Sequence, residues 1–434
     1  MNWDFHRHSW WLQRTQWYTP GRLRALQERR LRHLVTHAYR QVPFYRRTLE
    51  DRGIHPADIR SLDDLPLLPV LPRRAVAEDF AALVARDAAR FRPERGSTSG
   101  TSGTSLEFLR DRRTLSVGNA ALWRFRAWHG IRPGARIAEV RGGIWRAPSG
   151  EPDLTSVSAY IPALNTLRLN LQAPDPRRRA AVTEALAGFR PELIRGSSVL
   201  LTYLSMYLLE HPEVAIRPRV VFAGGERLFP EQRRTIAEAF RAPVVESYGN
   251  WEYAVFAGEC EEGRLHLAAE MGILEVVSSG ARCPPGETGE VIVTSLWNHS
   301  LPFIRYAIGD VGLLEGIPCP CGRGLPTWRV LGGRDKDLLA TPGGYIYLTT
   351  DLVATPRWRG KIDGIRFYQD ARNEVLVQVV RGPAFAERDL EILYAELNEF
   401  LGGLLRISFE FVENLELTAG GKFRHIVSRI PNEK

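Results

Sequence analysis

Apolar residues recur along the chain in two rhythms. Leu23, Leu26, Leu31, Leu34, Val35 and Ala38 fall at helical spacing with Arg and Gln between them, which predicts an amphipathic helix over residues 22–40. After Val42-Pro-Phe-Tyr45 comes a Pro-rich connection, Leu65-Pro-Leu-Leu-Pro-Val-Leu-Pro72. Helical spacing returns at 114–128, with Trp123, Phe125 and Trp128, and again at 177–189, 198–210 and 230–240. Between these runs lie short apolar stretches that read as buried strands: Arg136–Arg141, 192–195, Arg219–Ala223 and Pro243–Ser247. Strands alternating with helices predict an α/β core with a largely parallel sheet. In such sheets ligands bind at the loops that follow the strand C-termini.

The rhythm changes from about residue 260. Leu265–Ala268, Gly272–Val277 and Gly289–Thr294 read as strands with no long helices between them, which predicts an antiparallel or barrel-like subdomain. Beyond Gly332-Gly333 a small α+β unit begins. Its strands are Glu374–Val380 and Arg406–Val412, flanking a helix at 386–401 with Leu390, Leu393, Leu397 and Phe400 on one face. The predicted domains are therefore 1–335 and 336–434.

Composition narrows the function. With 434 residues, 44% apolar and 25% charged, the chain can bury a large core. No run of 18 apolar residues occurs, and Met1–His8 lacks the apolar segment of a signal peptide, so a cytoplasmic protein with no membrane partner is expected. The net charge of +8 suggests an anionic ligand, but the arginines are interspersed with acids in the predicted helices, so no nucleic-acid partner is expected. Lysine is rare: Lys336, Lys361, Lys422 and Lys434 are the whole set. Four cysteines do not make a disulfide scaffold.

Gly96-Ser-Thr-Ser-Gly-Thr-Ser-Gly-Thr-Ser105 has no apolar side chain. It reads either as a flexible linker or as a backbone cradle for phosphates, and it lacks the Gly-Lys-Ser/Thr ending of a Walker loop. The strand Arg219–Ala223 ends in Gly224-Gly225-Glu226, and four further turns stand out: Glu246-Ser-Tyr-Gly-Asn-Trp-Glu-Tyr253, Ile304-Arg-Tyr-Ala-Ile-Gly-Asp310, Gly333-Arg-Asp-Lys-Asp337 and Gly420-Gly-Lys-Phe-Arg424. Cys260, His266, Cys319 and Cys321 make a Cys3His set suited to a structural, tetrahedral Zn²⁺ that would clamp the strands at 260–270 to the turn at 317–323. Reduced cysteines and a strand histidine are the alternative. Cys283 reads as a bystander, and His6, His8, His33, His37 and His129 as surface or interfacial residues.

The order and spacing of these motifs resemble the adenylate-forming superfamily. Within it the chain is similar to the phenylacetate–CoA ligase-like branch, including its capsule-biosynthesis-type relatives. Leu31-Arg-His-Leu-Val-Thr-His-Ala-Tyr-Arg-Gln-Val-Pro-Phe-Tyr45, Gly53-Ile and Leu62-Asp-Asp-Leu-Pro66 carry the same resemblance. It implies an α/β fold with a small mobile α+β C-terminal domain, and a ligase that makes an acyl-AMP from ATP and a carboxylic acid. Ser97, Thr98, Ser99, Gly100, Thr101, Ser102, Gly103 and Thr104 would wrap the ATP phosphates. Thr104-Ser105 stand where the family often has Lys. Gly224, Gly225 and Glu226 would line the adenine pocket, Tyr248 would stack on adenine, Gly249 would belong to the same ATP site, and Asp310 would bind the ribose. Glu252 would hold Mg²⁺, Arg334 would contact ribose or phosphate, Lys336 would be the hinge, and Lys422 the catalytic lysine of the C-terminal domain. Trp145, Trp251 and Tyr253 are candidate walls for an aryl or arylacetic acid. The implied acyl acceptor is coenzyme A, with a carrier-protein thiol or an amine as alternatives. A homodimer is compatible with this reading. The rival class is a non-catalytic, basic binding protein.

Overall fold

The computed structural model describes residues 3–98, 106–142, 145–146, 152–153, 156–171, 176–332, 338–341, 344–347, 356–358, 360–415 and 426–430. It divides into two compact units, Met1–Gly130 with Ser247–Arg334 and Ile131–Glu246 with Asp335–Lys434. Among the described residues no helix is long and apolar enough to cross a membrane.

The first unit opens with the helix Trp3–Thr15, which sequence periodicity does not announce. Its inward positions are Phe5, His8, Leu12 and Thr15, and two of these four are polar. The helix Pro20–Gln41 follows, capped by the Thr19 hydroxyl and started by Pro20, and it buries Leu23, Leu31, Leu34, Val35 and Ala38. Pro43 ends it by barring Val42 from helical geometry, and the chain restarts as Pro43–Glu50. The helix Arg112–Trp128 lies under the sheet, with Phe125 1% exposed. The antiparallel expectation for the residues beyond 260 is borne out. The strands run in the order Ala281–Arg282, Gly272–Ser278, Gly289–Ser295, Tyr306–Leu314, Thr327–Gly332, Leu265–Leu267, Phe256–Glu259. Phe256–Gly258 then pairs with Ser247–Gly249.

Charged pairs inside this unit were not legible in the sequence. Arg124 and Glu270 are both fully buried and joined by two hydrogen bonds of 2.7 and 3.2 Å. Arg124 also donates to the Leu12 carbonyl at 3.2 Å, and Thr15 Oγ1 donates to Glu270 at 2.5 Å. The pair thus fixes the N-terminal helix to the sheet.

In the second unit, Val220–Gly224, Leu193–Ser197, Ile137–Arg141 and Thr166–Asn170 lie side by side in parallel, with Ser158–Ile161 antiparallel at the edge. Ala138, Val140, Leu167, Leu169, Ile194 and Val221 from these strands pack against Leu186, Leu201, Leu204, Ile236 and Phe240 of three helices. Each fully buried leucine contributes roughly 2 kcal/mol. The helices Ser198–Glu210 and Pro230–Phe240 have the predicted bounds.

The C-terminal residues of this unit have a separate core. The strand order is Arg406–Phe411, Glu374–Arg381, Ile362–Gln369, Ile426–Ser428, and the helix Glu387–Phe400 covers them. Leu393 and Leu397 are buried in it as expected, with Trp358, Phe367 and Val377. Phe400, predicted on the same face, is 40% exposed. Leu401 takes that place, because 393, 397 and 401 follow the i, i+4 spacing of the buried face.

Candidate functional site

The hairpin Glu94–Thr98 and Leu106–Arg110 frames the Gly/Ser/Thr run. Ser97 pairs with Glu107 and Thr98 with Leu106. Ser99, Gly100, Thr101, Ser102, Gly103 and Thr104 lie outside the described residues, as do Arg334, Lys336 and Lys422, together with the side chain of Trp145.

Glu252 follows the strand Val244–Gly249 and is fully buried. Its Oε1 accepts from Arg73 Nη1 at 3.2 Å and from the Tyr306 hydroxyl at 3.2 Å, and Arg73 Nη1 also donates to that hydroxyl at 2.9 Å. Its Oε2 is buried with no hydrogen-bond partner among the described residues. An unpartnered, buried carboxylate oxygen is a hard donor of the kind Mg²⁺ takes, so the residues present fit that ion. Arg73 carried no signal in the sequence. A parallel bridge between Leu71 and Tyr306, with Leu71 N–H to the Arg305 carbonyl at 2.9 Å and Ala307 N–H to the Leu71 carbonyl at 3.0 Å, carries it there. Arg305, the residue just before that strand, has φ of 48° and turns inward to pair with buried Glu275 at 3.1 Å. Burial still holds the Glu275 carboxyl above its ordinary range, against the pull of Arg305.

Tyr248 and Asp310 meet directly. The phenol donates to Asp310 Oδ2 at 2.5 Å, and the Tyr248 ring meets Trp328 edge-on at 4.5 Å. A tyrosine face and a carboxylate are thereby held together on one side of the antiparallel sheet. Trp251 is 51% exposed, and its carbonyl accepts from Arg110 at 3.2 Å. Tyr253 has φ of 58° and lays its ring against the helix Arg112–Trp128. A Cβ at Gly118 would sit 2.5 Å from that ring, so the contact requires glycine.

Gly224 ends its parallel strand, and Gly225 takes φ of +87°, where a side chain would be strained. The Glu226 carbonyl accepts from Ser198 Oγ at 3.2 Å, and the Ser197 hydroxyl caps the neighbouring helix. This glycine turn therefore sits at the C-terminal end of a parallel strand, where α/β sheets take ligands.

Cys260, His266, Cys319 and Cys321 come together, with all ligand atoms within 4.8 Å of one another. Cys260 begins the turn after Phe256–Glu259, and His266 sits mid-strand opposite Thr327. The Cys319–Gly322 turn is drawn in by that pairing. Cys260 Sγ and Cys319 Sγ are 3.7 Å apart, and Cys321 Sγ is 3.3 Å from His266 Nε2. His266 Nδ1 is 3.0 Å from the Leu325 carbonyl, so Nδ1–H donates there and Nε2 presents its lone pair to the sulfurs. Burial pushes the Cys260 thiol up to about 12 and raises Cys319 as well. At Cys321 burial is outweighed by the backbone and guanidinium of Arg323, and the thiol falls below its ordinary value. Cys283 is outside the set, as expected.

Of the other histidines, His37, His129 and His8 lie against neighbouring elements, while His6 and His33 are exposed. His37 Nε2 lies 3.1 Å from the His299 carbonyl and His129 Nε2 lies 2.8 Å from the Glu259 carbonyl. His8 is fully inside, between helices, with Nδ1 3.0 Å from Ser116 Oγ.

The fold is that of the adenylate-forming CoA ligases. A 2-hydroxyisobutyryl-CoA ligase in the postadenylation state, in complex with R3-HIB-AMP, superposes with a TM-score of 0.72 at 22% identity over 92% of this chain and 88% of that one. The chain is a homologue of phenylacetate–CoA ligases and of CapK. It is 27% identical to the phenylacetate-coenzyme A ligase of Thermus thermophilus over 87% of its own length and 86% of the relative's. It is likewise 27% identical to protein CapK of Staphylococcus aureus, over 77% and 74% of the two lengths. Residues 349–429 match the CapK C-terminal domain.

Proposed function

We propose that the protein is an ATP-dependent, AMP-forming acid–CoA ligase whose reaction runs through an acyl-adenylate. The observation that carries this reading is the pairing of buried Glu252, with one unpartnered oxygen, and the Tyr248–Asp310 couple on the same sheet. Homology to phenylacetate–CoA ligases and the fold of a CoA ligase described in complex with an acyl-AMP support it.

In the first half-reaction a substrate carboxylate oxygen attacks the α-phosphorus of ATP. The bond to the bridging oxygen breaks and pyrophosphate leaves. Negative charge crowds this transition state, so positioning and charge stabilisation dominate. Tyr248 would give adenine a flat face, Asp310 would accept from the ribose hydroxyls, and Gly224, Gly225 and Glu226 would line the base. Ser97 to Thr104 would wrap the phosphates. Glu252 would hold Mg²⁺, which supplies positive charge to the phosphates when bound. Lys422 would bring an ammonium to the α-phosphate, and Arg334 a guanidinium to ribose or phosphate. In the second half-reaction the thiol of coenzyme A, losing its proton, attacks the acyl carbonyl and AMP leaves. A boundary at 335/336 with Lys336 as hinge would let the C-terminal domain remove Lys422 between the two steps. Trp145, Trp251 and Tyr253 would suit an aryl or arylacetic acid. Zn²⁺ in the Cys3His set would be structural, and the enzyme would work in the cytoplasm.

The test is ATP–pyrophosphate exchange over a panel of aryl, arylacetic and short hydroxy acids, followed by thioester formation with coenzyme A. Exchange with one acid class, lost in Lys422→Ala and Glu252→Gln, is expected. Absence of exchange with every acid would overturn the reading. Exchange without a CoA thioester would move the acceptor to a carrier-protein thiol or an amine.

A further inference from the structure

The N-terminal helix Trp3–Thr15 has two faces with different occupants. Phe5, His8, Leu12 and Thr15 point inward. The opposite face carries Trp3, Arg7, Trp10 and Arg14, and the turn after the helix adds Trp17. These five positions follow 4, 3, 4, 3 spacing, which keeps them on one stripe. They are strongly exposed: Trp3 is 81% accessible, Trp10 60% and Trp17 55%. The Arg14 guanidinium lies 4.1 Å above the Trp10 ring, and one turn further Arg22 lies 3.9 Å above Tyr18. Asp4, within 3.4 Å of Arg7, is the acidic residue of this helix. Glu261 pairs with Arg323, whose guanidinium lies 5.3 Å from the Trp17 ring.

Soluble chains seldom display three tryptophans in a row, because each ring leaves a large apolar surface in water. Nothing about the fold asks for them, since the inward face alone docks the helix. Trp and Arg share one preference: each has an apolar body and a polar end, and both settle where a bilayer meets water. The charge points the same way. Residues 1–60 hold twelve arginines against five acidic side chains, a surplus of seven, whereas the whole chain has a net charge of +8. In sum, the first 60 residues are thus a basic N-terminal region.

We infer that the Trp3–Arg7–Trp10–Arg14–Trp17 stripe is a docking surface for an anionic lipid bilayer. The tryptophan rings enter at headgroup depth and the guanidinium groups meet lipid phosphates, with the helix lying in the membrane plane. The lack of an apolar span is no obstacle, because such a helix lies on a membrane and does not cross it. A second copy of the chain or another protein would have to match a row of cationic, aromatic ridges. The arginine surplus favours a surface of fixed negative charge instead.

The full-length protein is tested by flotation with vesicles of equimolar phosphatidylcholine and phosphatidylglycerol, and with phosphatidylcholine alone. Binding to the anionic vesicles at low salt, a blue shift in tryptophan emission, and release at salt on the order of 0.5 M are expected. Trp3→Ala with Trp10→Ala, and separately Arg7→Glu with Arg14→Glu, lower the bound fraction about tenfold or more while the thermal midpoint stays in place. The inference is overturned if the protein does not float with anionic vesicles, or if neither pair of substitutions weakens binding. It is also overturned if the Trp pair instead dissociates a soluble dimer.

Discussion

Arg73 and Glu252 lie 179 residues apart in sequence, yet Arg73 Nη1 donates to Glu252 Oε1 at 3.2 Å. The Tyr306 hydroxyl closes the triangle, accepting from Arg73 at 2.9 Å and donating to the same carboxylate oxygen at 3.2 Å. The compensation for this buried charge therefore falls on one oxygen, and the other has no hydrogen-bond partner among the described residues. Removing Arg73 strands the carboxylate. We expect Arg73→Ala to lower the unfolding free energy by about 3 kcal/mol, and Glu252→Gln added to it to recover part of that loss. Denaturant titrations of the two single variants and the double variant measure the coupling. Purely additive losses would mean that the two side chains do not act on one another.

The Tyr248 hydroxyl and Asp310 are joined at 2.5 Å. The Tyr248 ring is also held by Trp328, edge-on at 4.5 Å, so Tyr248→Phe removes the hydrogen bond and keeps the aromatic face. If the ring supports adenine and the carboxylate binds ribose, Asp310→Ala should raise the KM for ATP about tenfold or more, and Tyr248→Phe by less. Pyrophosphate-exchange kinetics with ATP as the varied substrate check this. An equal KM in all three proteins would remove both residues from the nucleotide site.

The sequence made the alternating helices and strands of the second unit legible because their apolar positions are regular: spacing predicts the helix at 230–240, and a strand at 219–223 that the structure places one residue later, at Val220–Gly224. The cysteine–histidine set was legible for another reason, since four cysteines in 434 residues leave few combinations. Arg73 was not legible. It is one arginine among many, and only the long-range bridge from Leu71 to Tyr306 gives it a role. The N-terminal helix was hidden because His8 and Thr15 stand at inward positions, and their partners, Ser116 and Glu270, are more than 100 residues away. Arg124 was hidden similarly, since a charged residue in an amphipathic helix reads as solvated until Glu270 is found beside it.

Four convergent ligand atoms make a specific claim about metal content. Purified protein should carry about one equivalent of zinc that survives dialysis. Cys319→Ser should lose it and lower the thermal midpoint. Arg323, next to the Cys319–Gly322 turn, covers Trp128 at 4.3 Å and Trp17 at 5.3 Å, so loss of a bound zinc should also change tryptophan emission. Four freely reactive thiols in the native, metal-free protein would count against the site.

His8 makes folding stability depend on pH in a defined direction. Its ring is 4% exposed, with Nδ1 3.0 Å from Ser116 Oγ and its face edge-on to Trp297 at 5.3 Å. Burial, reinforced by Arg7, Arg30 and Arg113 and opposed by Asp4, lowers its pKa from 6.5 to about 4. In the unfolded chain the ring takes a proton near pH 6.5, whereas in the folded chain it stays neutral down to about pH 4. The unfolded state therefore binds more protons between these values, and stability must fall as pH drops through that window. Above pH 6.5 the His8 contribution is complete. His37 and His266 are shifted in the same direction by burial, so the total slope is shared, and a single substitution is needed to isolate one ring. His8→Asn keeps a polar side chain opposite Ser116 and cannot titrate. Unfolding followed by guanidinium titration from pH 7.5 to pH 4.5 should show a slope reduced by up to about one proton in this variant. Trp297, edge-on to the ring, should change its emission in the folded parent protein only near pH 4, where the folded-state His8 takes its proton. An unchanged slope would place the His8 ring in water, against its position between the two helices.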